Sequence, residues 1–299
     1  MNKTFFFGNG LNYLSKCALG WEELLIELMR EEKFEMKFLP NLLTYERIRL
    51  NWNSDNGELK NIIAQRLRNQ PSNEFYKNIL KINFDNYVTT NYDYALLNSH
   101  LELDLENSVN NNSTEQLYSI RRNTSLLNNR METIGKIWNI HGELDFPRSI
   151  MLGMNHYCGS VGKIDRYLKG TYDFNHKESH SPILTIEEKL KTKKFDNYSW
   201  VELFFSSNVH IAGFGLDFSE IDLWWILTRR ARLKSLSKVE NKIYYYTKPL
   251  NQVTREIELE QRKRETLKAL DVDFVEIGIL NKDYKGQWEE FIKIMNSSN

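Results

Sequence analysis

The run Lys136-Ile-Trp-Asn-Ile-His141-Gly142-Glu143 has the apolar character of a buried strand and stops on a histidine and a glycine. Histidine is the side chain that changes charge near neutral pH, and glycine lets a ligand or a second backbone come close. At the carboxyl end of a strand in an open α/β sheet, where ligands bind, such a pair can do acid–base work. The plainer alternative is a histidine that only hydrogen-bonds a neighbouring loop. A second candidate lies in Asn86-Tyr-Val-Thr-Thr-Asn91-Tyr-Asp93. Here β-branched residues favour a strand, Asn91 falls in the turn that ends it, and Asp93 is suited to start a helix as an N-cap. Taken alone, Asn91 reads equally as a turn residue that tolerates a left-handed backbone.

Two glycine-rich turns follow other β-prone runs. Phe5-Phe6-Phe7 leads into Gly8-Asn9-Gly10-Leu11-Asn12, and Asn208-Val-His-Ile-Ala212 leads into Gly213-Phe214-Gly215-Leu216-Asp217. Each precedes a helical pattern, an arrangement that can present backbone N–H groups to a phosphate. Neither carries the third glycine of the dinucleotide fingerprint, so each is also an ordinary tight turn. Metal chemistry is poorly supported. His176 and His180 are four residues apart, but no apolar face surrounds them and Pro182 follows closely. Cys17 and Cys158 are too few for a four-cysteine zinc site.

The elements that must position these residues follow from composition and periodicity. A chain of 299 residues with 41% hydrophobic and 13% aromatic side chains can bury a substantial core. Forty basic residues balance forty acidic ones, which argues against a nucleic-acid binder held by bulk charge and gives little resistance to self-association. The start has no signal-peptide core and no apolar run is long enough to span a bilayer, so a soluble, cytoplasmic protein is expected. Strands are predicted at 4–7, 86–90, 136–140, 208–212, 242–246 and 272–276, with helical segments between most of them. The fold class is therefore α/β: a Rossmann-like, doubly wound, mainly parallel six-stranded sheet in one domain. Helical insertions are expected at about 33–81 and 143–207. Within this scheme 107–113 reads as a polar surface loop and 118–120 with 125–127 as a small strand or hairpin. Residues 148–153 read as a short strand, 219–234 as a helix ending in dipole-compensating arginines, and 251–269 as a charged, solvated helix. Trp224 and Trp225 read as core packing in preference to an assembly switch.

In this order, Gly8-Asn9-Gly10-Leu11-Asn12 with Trp21-Glu-Glu-Leu-Leu25, Thr89-Thr90-Asn91-Tyr92-Asp93, Ile140-His141-Gly142 and Gly213-Phe214-Gly215 resemble the motifs of sirtuin-like domains. The likeness is to the bacterial sirtuin-like NAD hydrolases of anti-phage defence, the Thoeris effector among them, and it spans nearly the whole chain. It implies NAD as substrate, bound by Gly8, Asn9, Gly10, Leu11, Asn12, Thr90, Asp93, Gly213, Phe214 and Gly215. It further implies that Asn91 orients the ribose or the attacking water and that His141 acts as general base, in its neutral form. Glycosidic cleavage through an oxocarbenium-like state needs a held ribose and an oriented nucleophile more than a strong acid. The resemblance implies no metal, a homo-oligomer and a possible defence-system partner protein. Asn9 stands where sirtuins usually carry alanine, and Asn12 and Gly215 where they usually carry serine. The four zinc cysteines of protein-deacylating sirtuins are missing, which puts hydrolysis of NAD ahead of deacylation or ADP-ribosyl transfer. A non-catalytic subunit that senses NAD or ADP-ribose is the alternative from another class.

Overall fold

The structure, a computed structural model, describes residues 1–16, 18–30, 33–37, 39–52, 56–103, 107–111, 115, 117–172, 183–236, 239–250, 255–278 and 283–297. Cys17, His176, His180 and Pro182 lie outside the described residues, as do parts of the expected 107–113 loop and the start of the 251–269 helix.

Strand β1 (Lys3–Phe7) leads through a 3₁₀ turn (Asn12–Leu14) to helices α1 (Trp21–Leu28), α2 (Asn41–Asn51), α3 (Asn56–Leu67) and α4 (Glu74–Leu80). Then come β2 (Asn86–Thr89), α5 (Ala95–Leu101), β3 (Asn107–Asn111), β4 (Asn123–Leu127) and β5 (Thr133–Asn139). A 3₁₀ turn (Pro147–Ser149), α6 (Met154–Leu168), α7 (Ile186–Thr192), a further 3₁₀ turn (Trp200–Glu202) and α8 (Leu203–Ser206) precede β6 (Asn208–Ala212). The remainder alternates: α9 (Ile221–Ser235), β7 (Ile243–Thr247), α10 (Arg255–Ala269), β8 (Asp273–Glu276) and α11 (Tyr284–Ser297).

The sheet has eight strands in the order β3-β4-β5-β2-β1-β6-β7-β8. The six expected strands form its parallel part, β5 to β8, and number 3-2-1-4-5-6 in the order the chain makes them. That is the order of a doubly wound dinucleotide-binding sheet, whose direction reverses beside its first strand. The sheet exceeds the expected six strands because an antiparallel hairpin, β3–β4, extends the β5 edge. β3 is Asn-Ser-Val-Asn-Asn, a polar run that does not alternate and was expected to be a loop. Asn111 Nδ2 donates to Asn123 Oδ1 and Ser125 Oγ, both at 2.8 Å, and holds the edge in register. Residues 148–153 do not form the expected strand. Pro147 starts a 3₁₀ turn instead, and Met151 N donates to the His141 carbonyl at 2.8 Å, folding the segment back onto the histidine turn. Residues 118–120 likewise pair with no strand, and only 123–127 enters the sheet.

Phenylalanines 5, 6 and 7 alternate across the sheet as a strand requires. Phe5 and Phe7 pack with Tyr87 and Ile137 against α4, α5 and α11, whereas Phe6 packs with Val88, Trp138 and Ile211 against α6, α8 and α9. Each of the three is at most 2% exposed, and such burial contributes roughly 1.5–3 kcal/mol per ring. A third cluster joins α1, α2 and α3 to Tyr92, Leu144, Ile150 and Leu152, so the helical insertion is a layer laid over the carboxyl ends of β2 and β5. Trp224 and Trp225 pack half-buried against the core. Arg230 corrects the dipole reading of its helix: it is fully buried, donating to Asp271 Oδ2 at 2.8 Å and to Asn241. Among the described residues no helix is long and apolar enough to cross a membrane.

Candidate active site

A cavity of about 480 Å³ opens where the chain leaves β1 for β2 on one side and β6 lies on the other. Its wall includes Asn9, Gly10, Thr90, Asn91, Asp93, His141, Gly213, Phe214 and Gly215. Nine of the twelve residues expected to bind substrate or act on it are thus brought together at the ends of β1, β2, β5 and β6. Gly8, Leu11 and Asn12 do not line it; they brace the residues that do. Leu11 is fully buried in the core beneath the sheet end. Asn12 Nδ2 donates to Asn9 Oδ1 at 2.7 Å and to Asp93 Oδ2 at 2.8 Å, while its Oδ1 accepts from Tyr76 OH at 2.6 Å.

The two glycine turns are stitched to each other. Gly213 takes a left-handed φ of 62°, and its carbonyl accepts from Gly8 N at 3.3 Å and Gly10 N at 2.9 Å. A Cβ on Gly10 would lie 2.5 Å from Gly213 Cα, so the close approach excludes any side chain there. The N–H groups of Gly8 and Gly10, expected to face a phosphate, are therefore engaged within the protein.

Asn91 is held by its own turn. Its backbone N–H donates to Thr89 Oγ1 at 3.0 Å, its Nδ2 donates to the Gly8 carbonyl at 3.2 Å, and its carbonyl accepts from Asn139 Nδ2 at 2.9 Å. Asp93 is not the expected N-cap of α5, a position held by Tyr94, but lies one residue before it, and its Oδ1 accepts from Ala95 N at 2.9 Å. Burial raises the Asp93 carboxyl above its usual range, against the pull of the Ala95 and Asn12 hydrogen bonds.

His141 is 2% exposed and lies between two carboxylates. Its Nε2 is 3.1 Å from Asp222 Oδ2 and its Nδ1 is 3.5 Å from Glu220 Oε2, with the Tyr157 ring edge-on at 5.3 Å. Asp222 is fully buried and also accepts from Ser160 Oγ at 3.2 Å and Leu223 N at 2.9 Å. Glu220 Oε2 accepts from Tyr157 OH at 3.0 Å. Burial opposes charging the His141 ring, but Asp222 and Glu220 together outweigh it and raise its pKa above the ordinary value. The direction is towards the charged ring, whereas the resemblance implies a neutral one acting as base. Glu220 is pushed up to about 7, by burial first and by Asp222 and Asp217 after it, against the opposing pull of His141 and Tyr157.

His141, Glu220 and Asp222 offer donor atoms within 4.8 Å of one another, the spacing that could hold a metal. The contacts they make are those of a hydrogen-bonded group, with Asp222 taken up by three donors and each ring nitrogen facing one carboxylate.

Glu220, Asp222 and Tyr157 were not singled out from the sequence. Asp222 carries a signal that could have found it. It stands four residues before Ile226 and eight before Arg230, on the stripe that α9 buries. An acidic residue in a first helical turn is readily explained by the helix dipole, which hides that signal.

Gly142 sets the direction of the histidine. Its φ is 103°, and a Cβ there would lie 2.4 Å from the Ser149 carbonyl oxygen. Gly142→Ala is expected to destabilise the chain by about 1–3 kcal/mol from backbone strain alone. Urea unfolding checks this, and a loss below about 0.5 kcal/mol, the scale of an ordinary surface change, would refute it.

Apart from the parallel order and the cavity at its switch point, which define an α/β protein of Rossmann-like type, likeness to known proteins adds nothing: no family model and no curated protein matches this chain.

Proposed function

We propose that this chain is an NAD glycohydrolase that cleaves NAD to nicotinamide and ADP-ribose, with a sirtuin-like arrangement of its motifs. The observation that carries the reading is that Asn91 and His141, just beyond the ends of the neighbouring strands β2 and β5, line one cavity at the switch point and that His141 is backed by a buried carboxylate, Asp222. A pure binder has no need of such a backed histidine. The cavity's charge is consistent with the chemistry. Among its described lining residues there is no lysine or arginine, while Asp93, Asp217 and Glu220 contribute carboxyl groups. Carboxylates near the ribose favour the positive charge of the pyridinium and of the oxocarbenium-like state that follows it. Asn91, locked by Gly8 and Asn139, orients the ribose or the attacking water, and the cluster of His141, Glu220 and Asp222 takes up the proton that water releases. Nicotinamide leaves neutral and requires no proton.

Such an enzyme would serve as an abortive-infection effector by depleting NAD, in the cytoplasm, as a homo-oligomer with or without a partner protein. This part of the proposal rests on the motif resemblance. The direct test is incubation with NAD and detection of nicotinamide and ADP-ribose. Asn91→Ala is expected to lower turnover by about 100-fold or more, as loss of an orienting group does, with the fold retained. Protein that binds NAD but leaves it intact for hours in every assembly state would instead support a sensor of NAD or ADP-ribose.

A further inference from the structure

His141 is poorly placed to touch a substrate. Both ring nitrogens face carboxylate oxygens, Nε2 towards Asp222 at 3.1 Å and Nδ1 towards Glu220 at 3.5 Å, and the ring is 2% exposed. Asp222 is more deeply buried still and has three donors around it. Glu220 differs. Its side chain is 16% exposed and lines the cavity; only its Oε2 accepts from Tyr157 and faces His141. Among the described residues its Oε1 accepts no hydrogen bond.

We infer that Glu220, not His141, is the proton acceptor that meets the substrate, with His141 held between Glu220 and Asp222 as an imidazolium. This assignment rests on the NAD reading above. In the step it describes, a water O–H bond breaks and its oxygen forms a bond to C1′ of the ribose. The C1′–N bond to nicotinamide breaks, its electron pair neutralises the pyridinium, and the released proton goes to the Glu220 carboxylate. His141 keeps its own proton throughout, which keeps Glu220 ionised despite its burial. Asp222, Asp217, Tyr157 and Tyr92 are the other titratable groups acting on the pair. The elevated pKa of Glu220, about 7, agrees with an acceptor poised near neutral pH.

The test uses the full chain with NAD and four proteins: wild type, E220Q, E220D and H141A. Glu220→Gln is expected to lower kcat by about 100-fold or more, with KM for NAD within about threefold and the acid limb of the kcat profile abolished. Glu220→Asp keeps a carboxylate and is expected to retain part of the rate and an acid limb. In parallel, ¹⁵N spectra of the imidazoles, assigned by loss of one signal in H141A, are expected to show His141 doubly protonated at pH 7 in wild type. They are expected to show it losing a proton at lower pH in E220Q. An active wild type whose E220Q variant keeps kcat within about threefold would overturn the acceptor role alone, and so would a neutral His141 ring in wild type at pH 7. A wild type that leaves NAD intact in every assembly state would overturn the NAD reading, and the acceptor role with it.

Discussion

Replacing His141 with alanine is expected to reduce nicotinamide release by about 10²–10⁴-fold, the range spanned by loss of acid–base machinery, while NAD still binds. The two halves of that expectation have separate causes. Binding survives because the cavity wall contributed by Asn9, Gly10, Thr90, Gly213 and Phe214 does not depend on the ring. Turnover collapses because the ring is the cation between two carboxylates, and without it Glu220 is driven further towards its protonated form. The chain should still fold, since Asp222 keeps Ser160 and Leu223 as donors. The stability cost has a pH signature. Because the folded pKa of His141 is raised, its contribution is fully present below the ordinary histidine value of about 6.5 and is lost as pH rises through the higher folded value. His141→Ala is therefore most destabilising in acid and least so in alkali. Calorimetric titration with NAD, chromatography of the products and melting curves at several pH values measure the three parts. Retention of turnover within about tenfold, one unit of transition-state arithmetic, would remove His141 from the chemistry.

The six-stranded parallel part of the sheet was legible because its strands are short and β-prone and the early ones run into glycine or asparagine, as Phe5–Phe7 does into Gly8 and Val88–Thr89 towards Asn91. The edge was not. β3 is polar and owes its pairing to Asn111 reaching across to Asn123 and Ser125, a contact between residues that no local pattern links. Residues 148–153 carry β-prone side chains, yet they are tied to the histidine turn by one backbone hydrogen bond from Met151. The site divides the same way. Asn91 and His141 stand at strand ends, where residue type and position together suggest chemistry. Glu220 stands at the N-cap and Asp222 in the first turn of α9, where acidic residues are welcome anyway, so only their distance from His141 gives them a role. The direction of the His141 shift was out of reach for the same reason: only the two neighbouring carboxylates, distant in sequence, raise its pKa.

Changing Asp222 to asparagine tests that neighbourhood at its most buried member. The substitution is close to isosteric and removes one negative charge from beside Nε2, 3.1 Å away. Of the influences that raise the His141 pKa, Asp222 is the largest, and the same charge also raises Glu220. Burial, which pulls the histidine down, is unchanged. The acid limb of the kcat profile is therefore expected to move to lower pH in Asp222→Asn. It belongs to the His141–Glu220 pair as a whole, since two groups this close titrate together. Turnover should fall as well, by about 10- to 10³-fold, because an amide can present its NH₂ to Nε2 and turn the ring or its proton the wrong way. The two effects separate a charge role from simple packing. A hole or a misfit lowers the rate at every pH and leaves the midpoint of the acid limb alone. A midpoint that stays fixed, or moves to higher pH, when kcat is followed at saturating NAD from about pH 5 to 9, around the ordinary histidine value, would mean that Asp222 does not set the charge of the site.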